Sequence, residues 1–337
     1  MSGSEIHVNL ALQGGGSHGA FTWGVLDRLL AEDGLVIDGI SGTSAGAMNA
    51  AVVADGMARG GNGEARERLR HFWEAVIHLG RFGPFVRTPL DLMAVPWGME
   101  HNPGYVVFDA ISRYFSPYQF NPMNWNPLLS MLRETIDFDR VRACDCIKLF
   151  VSATAVRSGK LRVFHTHELT PEAVMASACL PHVFQAVEIE GEPYWDGGYM
   201  GNPALFPLIY NTDTADIMVV QVNPITRDET PTTPPAILDR VNEISFNATL
   251  MREMRAIDFV SHLVAEHKLD SNGYKRVRMH RVDVPEAMRH YSAASKVNAE
   301  RGFLEQLHAM GREQADAWLA AHRDDLGVRP TLDIGPG

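Results

Sequence analysis

Near the N-terminus, two apolar runs each end in a glycine-rich turn that leads at once into a helical pattern, and nothing else in the chain restricts the fold as much. Ile6–Leu12 (IHVNLAL) alternates, then becomes almost wholly apolar, and stops at Gly14-Gly15-Gly16. That pattern predicts a buried strand running into a turn. Residues 20–31 follow, with Val25, Leu26, Leu29 and Leu30 at helical spacing. Residues 35–40 form a second short apolar run, closed by Ser41-Gly42-Thr43-Ser44-Ala45-Gly46. Residues 45–54, rich in Ala and Met, favour helix. Strand, turn and helix, twice over, imply an α/β fold with a mostly parallel sheet flanked by helices.

The rest of the chain extends this reading. Residues 64–79 predict another helix. Between Tyr114 and Ser130 there is no charged residue, and the aromatics Tyr114, Phe115, Tyr118, Phe120 and Trp125 are interleaved with Pro117, Pro122 and Pro127. Proline breaks long helices, so an irregular loop is expected, serving as lid, pocket wall or interfacial anchor, or packed as a structural excursion. Residues 148–155 and 160–165 read as strands joined at Ser158-Gly159. Pro171 opens a short helix with Thr170 as N-cap. Residues 215–222 read as one more buried strand, and the Pro/Thr-rich stretch 224–235 as a linker. Beyond it, Ile237, Val241, Ile244, Met251, Met254, Ile257, Val260 and Val264 recur at steps of three, four or seven and mark a long amphipathic helix. A strand at 274–282 and helices near 294–310 and 312–322 complete a mainly helical C-terminal extension. The expected division is residues 8–210 and residues 236–330.

A chain of 337 residues with 45% hydrophobic and 21% charged residues suits an ordinary globular protein. Its formal charge of −11 argues against a broad nucleic-acid-binding face, which needs clustered Lys and Arg. It also opposes tight docking on anionic lipid unless a local basic patch intervenes. The cysteines are Cys144, Cys146 and Cys179; so small and odd a set predicts reduced thiols rather than a disulfide framework. His165 and His167 alternate at a predicted strand and read as a solvated or hydrogen-bonded strand face more readily than as metal ligands. The N-terminus lacks a basic segment followed by an apolar stretch, and no run of roughly 18 apolar residues exists. The expectation is a soluble, cytoplasmic protein, at most peripheral at a membrane, with no metal and no cofactor.

Three short segments carry chemistry. Gly42-Thr43-Ser44-Ala45-Gly46 is a G-x-S-x-G sequence between a predicted strand and a predicted helix. A sharp turn there lifts the serine hydroxyl clear of the sheet, and the helix that follows directs its first N–H groups toward developing negative charge. Gly14-Gly15-Gly16-Ser17-His18-Gly19 also joins a strand to a helix, and glycine-rich backbone can turn N–H groups outward as an oxyanion hole. Gly14, Gly16 and Gly19 equally fit a dinucleotide fingerprint, but that reading wants an acidic residue at the end of the second strand, roughly twenty residues on. Asp38 fits this only loosely. Asp196-Gly197-Gly198 closes an apolar stretch with alternating charge, either as a turn or as the seat of a catalytic carboxylate.

Taken together, these segments resemble the patatin-like phospholipase family: a GGGxxG loop, then GTSAG, then a distant DGG. Ala176-Ser177-Ala178-Cys179-Leu180-Pro181-His182-Val183-Phe184 is similar to that family's A-S-x-x-x-P-x-x-F region. The resemblance spans residues 8–210. It implies a lipid-acyl hydrolase with a Ser–Asp dyad and no catalytic histidine. By position, Ser44 is the nucleophile, Asp196 the base, and Gly14, Gly15 and Gly16 the oxyanion hole, with Gly19, Gly42, Gly46, Gly197 and Gly198 supporting the turns. His18 stands where the family commonly has arginine and is a candidate headgroup contact. The region after residue 236 is similar to the helical extension of some bacterial members. The substrate implied is a lipid, met at a membrane surface. An acyltransferase or a catalytically silent lipid-binding protein on the same fold are the alternatives, and oligomeric state is not legible.

Overall fold

The computed structural model describes residues 5–81, 97–100, 102–269 and 274–334. Its centre is an eight-stranded sheet in the order β5-β6-β3-β2-β1-β7-β8, with β4 paired to β3. The strands are β1 (Ile6–Leu12), β2 (Leu35–Gly42), β3 (Lys148–Ala155), β4 (Leu161–His165), β5 (Val187–Ile189), β6 (Glu192–Asp196), β7 (Asp216–Val220) and β8 (Arg278–Val282). β3, β2, β1, β7 and β8 run parallel; β4 and β6 are antiparallel to β3, and β5 to β6.

Both faces of the parallel strands are covered, as their near-continuous apolar character requires. Val8, Leu10 and Leu12 of β1, with Met218 and Val220 of β7, enter one core. That core is covered by α1 (Gly19–Leu29), α2 (Ala45–Gly60) and α3 (Asn62–Arg81). Ala11, Ile217 and Val219 point the other way, into a second cluster with Leu208, Leu250, Met254 and Ile257. Between these elements lie α4 (Pro103–Tyr114), α5 (Pro117–Phe120), α6 (Pro127–Thr135), α7 (Phe138–Arg142), α8 (Pro171–Ser177) and α9 (Phe206–Asn211). The chain ends with α10 (Pro234–Ala265), α11 (Glu286–Arg289) and α12 (Arg301–His322). Among the described residues, no helix is long and apolar enough to cross a membrane.

Register decides where the chemistry gathers. Leu12 pairs with Gly42, so the glycine loop and the Ser44 turn leave the sheet side by side. Gly42 pairs with Val151, and two residues on Ala153 pairs with Asp196, which brings the end of β6 to the same edge.

The C-terminal region is mainly helical but also adds β8 to the sheet, parallel to β7. Its last helix packs on α1: Asp27 accepts from Arg66 of α3 at 2.7 Å and from Arg312 of α12, and Trp23 meets His308 with ring centroids 3.9 Å apart. The two helices expected near 294–310 and 312–322 are largely one helix, α12. Gly311 is buried against the Phe21 carbonyl of α1 and serves packing rather than termination.

Three further expectations are corrected. Residues 114–130 are not an irregular loop throughout, because Pro117 and Pro127 start α5 and α6 instead of breaking a helix; proline suits the first helical position, whose N–H has no partner anyway. Cys144 and Cys146 are joined in a disulfide, with Cα atoms 5.4 Å apart. They lie in the turn before β3, which begins only at Lys148, so the chain folds back enough for the sulfurs to meet. Cys179 is free and buried. His165 ends β4, while His167 lies in the following turn Thr166–Glu168, so the pair does not share a strand face.

Candidate active site

The turn after β2 holds Ser44 at φ 55° and ψ −123°. A side chain in this region is strained, and such strain persists only where the surroundings hold it. Here they do. The Ser44 N–H donates to Ser177 Oγ at 2.8 Å, and Thr43 Oγ1 donates to the Gly201 carbonyl at 2.7 Å. The Gly46 N–H donates to the Thr43 carbonyl at 2.8 Å. Ser44 is half-buried at the N-terminus of α2, where the helix dipole favours negative charge.

The glycine loop touches this turn. A Cβ on Gly14 would stand 2.8 Å from Ser44 Cβ, so only glycine permits the approach. The three N–H groups of the loop are not equivalent. Gly14 donates to Asn202 Oδ1 at 2.7 Å and is thereby removed from the expected oxyanion set. Gly15 and Gly16 donate to no protein acceptor among the described residues. Gly16 has φ +58°, and a side chain there would run into the Lys296 carbonyl.

Burial corrects the reading of His18. It is 3% exposed, enclosed by Tyr291 and Phe303, with Nε2 2.8 Å from Ser295 Oγ. Burial first, and then the positive charges of Lys296 and Arg227, push its pKa down to about 3. A neutral ring locked under the loop braces it and presents no charge to a headgroup.

Asp196, 1% exposed, ends β6. Its N–H donates to the Cys179 carbonyl at 2.8 Å, and its own carbonyl accepts from Thr154 Oγ1 at 2.8 Å. Oδ1 accepts the Gly198 N–H at 2.7 Å, and the Ser44 side chain lies near enough to act on the carboxylate. Burial pushes its pKa up to about 7, against the opposing pull of the Gly198 N–H, the Ser44 hydroxyl and the Lys296 charge. Ser44 and Asp196, far apart in sequence, are therefore brought together. The supporting glycines all lie at close approaches: Gly19 against Ala45, Gly42 against the Gly46 carbonyl, Gly46 against the Leu12 carbonyl, Gly197 against the Ser152 carbonyl and Gly198 against Phe246. His280, the other deeply buried histidine among the described residues, bonds Asp216 and Thr331.

Several site residues escaped sequence reasoning. Ser177 lies within the A-S-x-x-x-P stretch, so a signal existed, but its role toward the Ser44 N–H did not show. Asn202 and Asn223 had no signal beyond their polarity. Asn223 Nδ2 donates to the Gly14 carbonyl at 2.7 Å. Gln13 Oε1 accepts the N–H groups of Val222 and Asn223 at 3.0 Å each, while Gln13 Nε2 reaches Asn247 Oδ1 at 3.0 Å. This buried network ties the loop to β7 and α10, and buried polar groups joined this fully give a rigid, specific arrangement.

The family model described as patatin-like phospholipase matches residues 10–209 of the chain. Among solved structures, VipD from Legionella pneumophila is 16% identical over 95% of this chain and 68% of VipD, with a TM-score of 0.41. The type III effector protein ExoU is 16% identical over 93% of this chain and 53% of its own, with a TM-score of 0.34. Full-length ExoU in complex with SpcU from Pseudomonas aeruginosa is 14% identical over the same shares, also at 0.34. The chain thus spans about half the length of these ExoU chains. No curated protein matches it significantly.

Proposed function

Because the chain belongs to the patatin-like phospholipase family, we propose that it is a serine lipid-acyl hydrolase in which Ser44 attacks a carboxylic ester and Asp196 receives the serine proton. The observation that carries this reading is Ser44, held in a strained turn at the start of α2, set near a buried carboxylate and beside two N–H groups with no protein acceptor among the described residues. Attack by Ser44 Oγ forms a tetrahedral oxyanion, which the Gly15 and Gly16 N–H groups and the start of α2 stabilise. Collapse expels the alcohol, which takes the proton back from Asp196 and leaves the acyl group on Ser44. Water then attacks the acyl carbon, giving its proton to Asp196; the bond to Ser44 Oγ breaks, Asp196 returns the proton to that oxygen, and the fatty acid is released. The substrate class is a glycerophospholipid, lysophospholipid or acylglycerol. The test is release of free fatty acid from phospholipid by the purified chain; no release from any of these esters under conditions where it is folded would refute the reading.

Only ionised Asp196 can accept a proton. Since its pKa stands at about 7, kcat/KM is expected to rise about tenfold per pH unit below that value and level off above it. A pH–rate profile flat from 5 to 8 would rule out this carboxylate as the base.

Gly15→Ala is expected to lower kcat by about 100- to 1,000-fold with little change in KM, the usual effect of losing one oxyanion donor. An added Cβ would stand 2.8 Å from Val222 Cγ2 and shift the N–H. A raised KM with unchanged kcat would instead mark a binding loop.

The segment after α4 gives the site an apolar border. The Gln185 side chain donates to the Asn121 carbonyl at 2.7 Å, and the Gln185 carbonyl accepts from Cys179, whose own carbonyl holds the Asp196 N–H. Trp125 is 73% and Met123 91% exposed, whereas Phe120 is half-buried against Phe108. Exposed Trp favours lipid interfaces. Trp125→Ala is therefore expected to cut hydrolysis of aggregated long-chain lipid far more than that of a soluble short-chain ester, with Tm unchanged. Equal loss on both substrates together with a lowered Tm would make Trp125 a packing residue.

A further inference from the structure

The turn Ala293–Val297 lies against the glycine loop although the chain separates them widely. Ser295 meets His18, and the Lys296 carbonyl occupies the space beside Gly16. Lys296 Nζ donates to Asn223 Oδ1 at 2.8 Å, and Asn223 in turn holds the Gly14 carbonyl. The C-terminal region thus reaches the loop through Ser295, Lys296 and Asn223 together.

The charges around Lys296 come from several elements. α10 supplies Glu243 and Asp239, the loop after β7 supplies Arg227, the glycine loop supplies His18, and β6 supplies Asp196. Glu243 is already paired with Arg227 and Arg240, and Asp239 accepts the Ala293 N–H at 3.1 Å. Around Asp196 stand the Cys179 thiol and the Tyr199 phenol, both of which burial pushes up to about 12, and the Ser44 hydroxyl. His18 is neutral, so among the described residues Lys296 is the basic group whose charge acts on Asp196. Burial lowers the pKa of Lys296 itself, which makes its charge costly to hold and short of water to screen it.

We propose that Lys296 is a positioning residue of the Ser44–Asp196 site, an inference that rests on the hydrolase reading: its bond to Asn223, which in turn holds the Gly14 carbonyl, keeps the glycine loop against Ser44 and brings a buried positive charge to the side of the site where Asp196 stands. It acts through Asp196 and the loop and touches no reacting atom. The sequence up to residue 210 would then be an incomplete enzyme, because one charge of the site arrives from the last fifty residues.

The test follows the Asp196 carboxyl directly, by 13C NMR of protein labelled at aspartate carboxyls, with the resonance identified by its loss in Asp196→Asn. In Lys296→Met the titration midpoint of Asp196 is expected to rise by about half a pH unit or more, and the acid limb of kcat/KM to move up with it. Lys296→Arg restores both toward wild type. Lys296→Gln, which keeps a donor for Asn223 without the charge, shifts the midpoint as Met does but keeps more of kcat at high pH; it also serves if the Met variant fails to fold. An unmoved midpoint in either folded neutral variant overturns the proposal. The carboxyl titration needs no substrate, so an absence of ester turnover in wild type would refute the hydrolase reading while the NMR still decides whether Lys296 governs Asp196.

Discussion

Ser44→Ala is expected to leave a folded protein with ester turnover reduced by roughly 10⁴-fold or more, the scale of loss when the nucleophile of a cooperating set is removed. The substitution deletes only the hydroxyl. Ser44 is half-buried, and the bond from its N–H to Ser177, the fit of Gly14 against its Cβ and the packing of α2 on β1 all survive. Tm should therefore shift little. The Ser44 side chain helps to hold the Asp196 carboxyl ionised, so the variant should hold that carboxyl's proton more tightly than wild type does. Turnover within tenfold of wild type in a clean preparation would remove Ser44 from the chemistry.

Asp196→Asn is expected to lose turnover by several powers of ten as well, and at the same time to gain stability at alkaline pH. The amide keeps an oxygen for the Gly198 N–H but cannot accept the serine proton. The stability effect follows from linkage. The folded carboxyl titrates at about 7 and the unfolded one at 3.8, so between these values the folded state binds more protons and wild-type stability falls as pH rises. Above 7 the buried charge costs at most about 4 kcal/mol, and asparagine removes that cost. The Tm of the variant should thus exceed that of wild type at pH 8, with the gap closing toward pH 4. A gap that widens on acidification would mean that burial does not set this carboxyl's proton affinity. If the variant kept normal turnover while a histidine variant was dead, a triad would replace the dyad.

Much of the site was legible in the sequence because its requirements are local. A backbone that turns sharply between strand and helix needs small residues at set positions, and Gly42, Gly46, Gly14 and Gly16 write that need into the chain. The parallel sheet was legible for a similar reason, since strands buried on both faces leave continuous apolar runs. What depended on tertiary approach was not. Gly14, Gly15 and Gly16 are one residue type in a row, yet Asn202, nearly two hundred residues away, takes the N–H of only the first. A histidine in a glycine loop suggested a surface role, but Tyr291, Phe303 and Ser295, contributed from the far end of the chain, bury it. The prolines at 117 and 127 marked boundaries correctly, but whether a proline ends one helix or begins another depends on the capping residue before it, Ser116 or Asn126. The Cys144–Cys146 bond was missed because counting cysteines addresses bridges between distant segments, not a turn that folds back on itself. The linker read at 224–235 and the helix after it lead into β8, which joins the same sheet.

Ser44, as a nucleophile activated by its surroundings, should be open to covalent trapping. A fluorophosphonate probe reacts with an activated serine without requiring that the natural ester be known. Intact-mass and peptide mass spectrometry after incubation at pH 8 should show one adduct, on the peptide containing Ser44. The adduct should be absent from Ser44→Ala and formed far more slowly in Asp196→Asn, and in wild type its rate should fall below pH 7 as Asp196 takes up its proton. An unlabelled wild type, or equal labelling of wild type and Ser44→Ala, would contradict that role for Ser44.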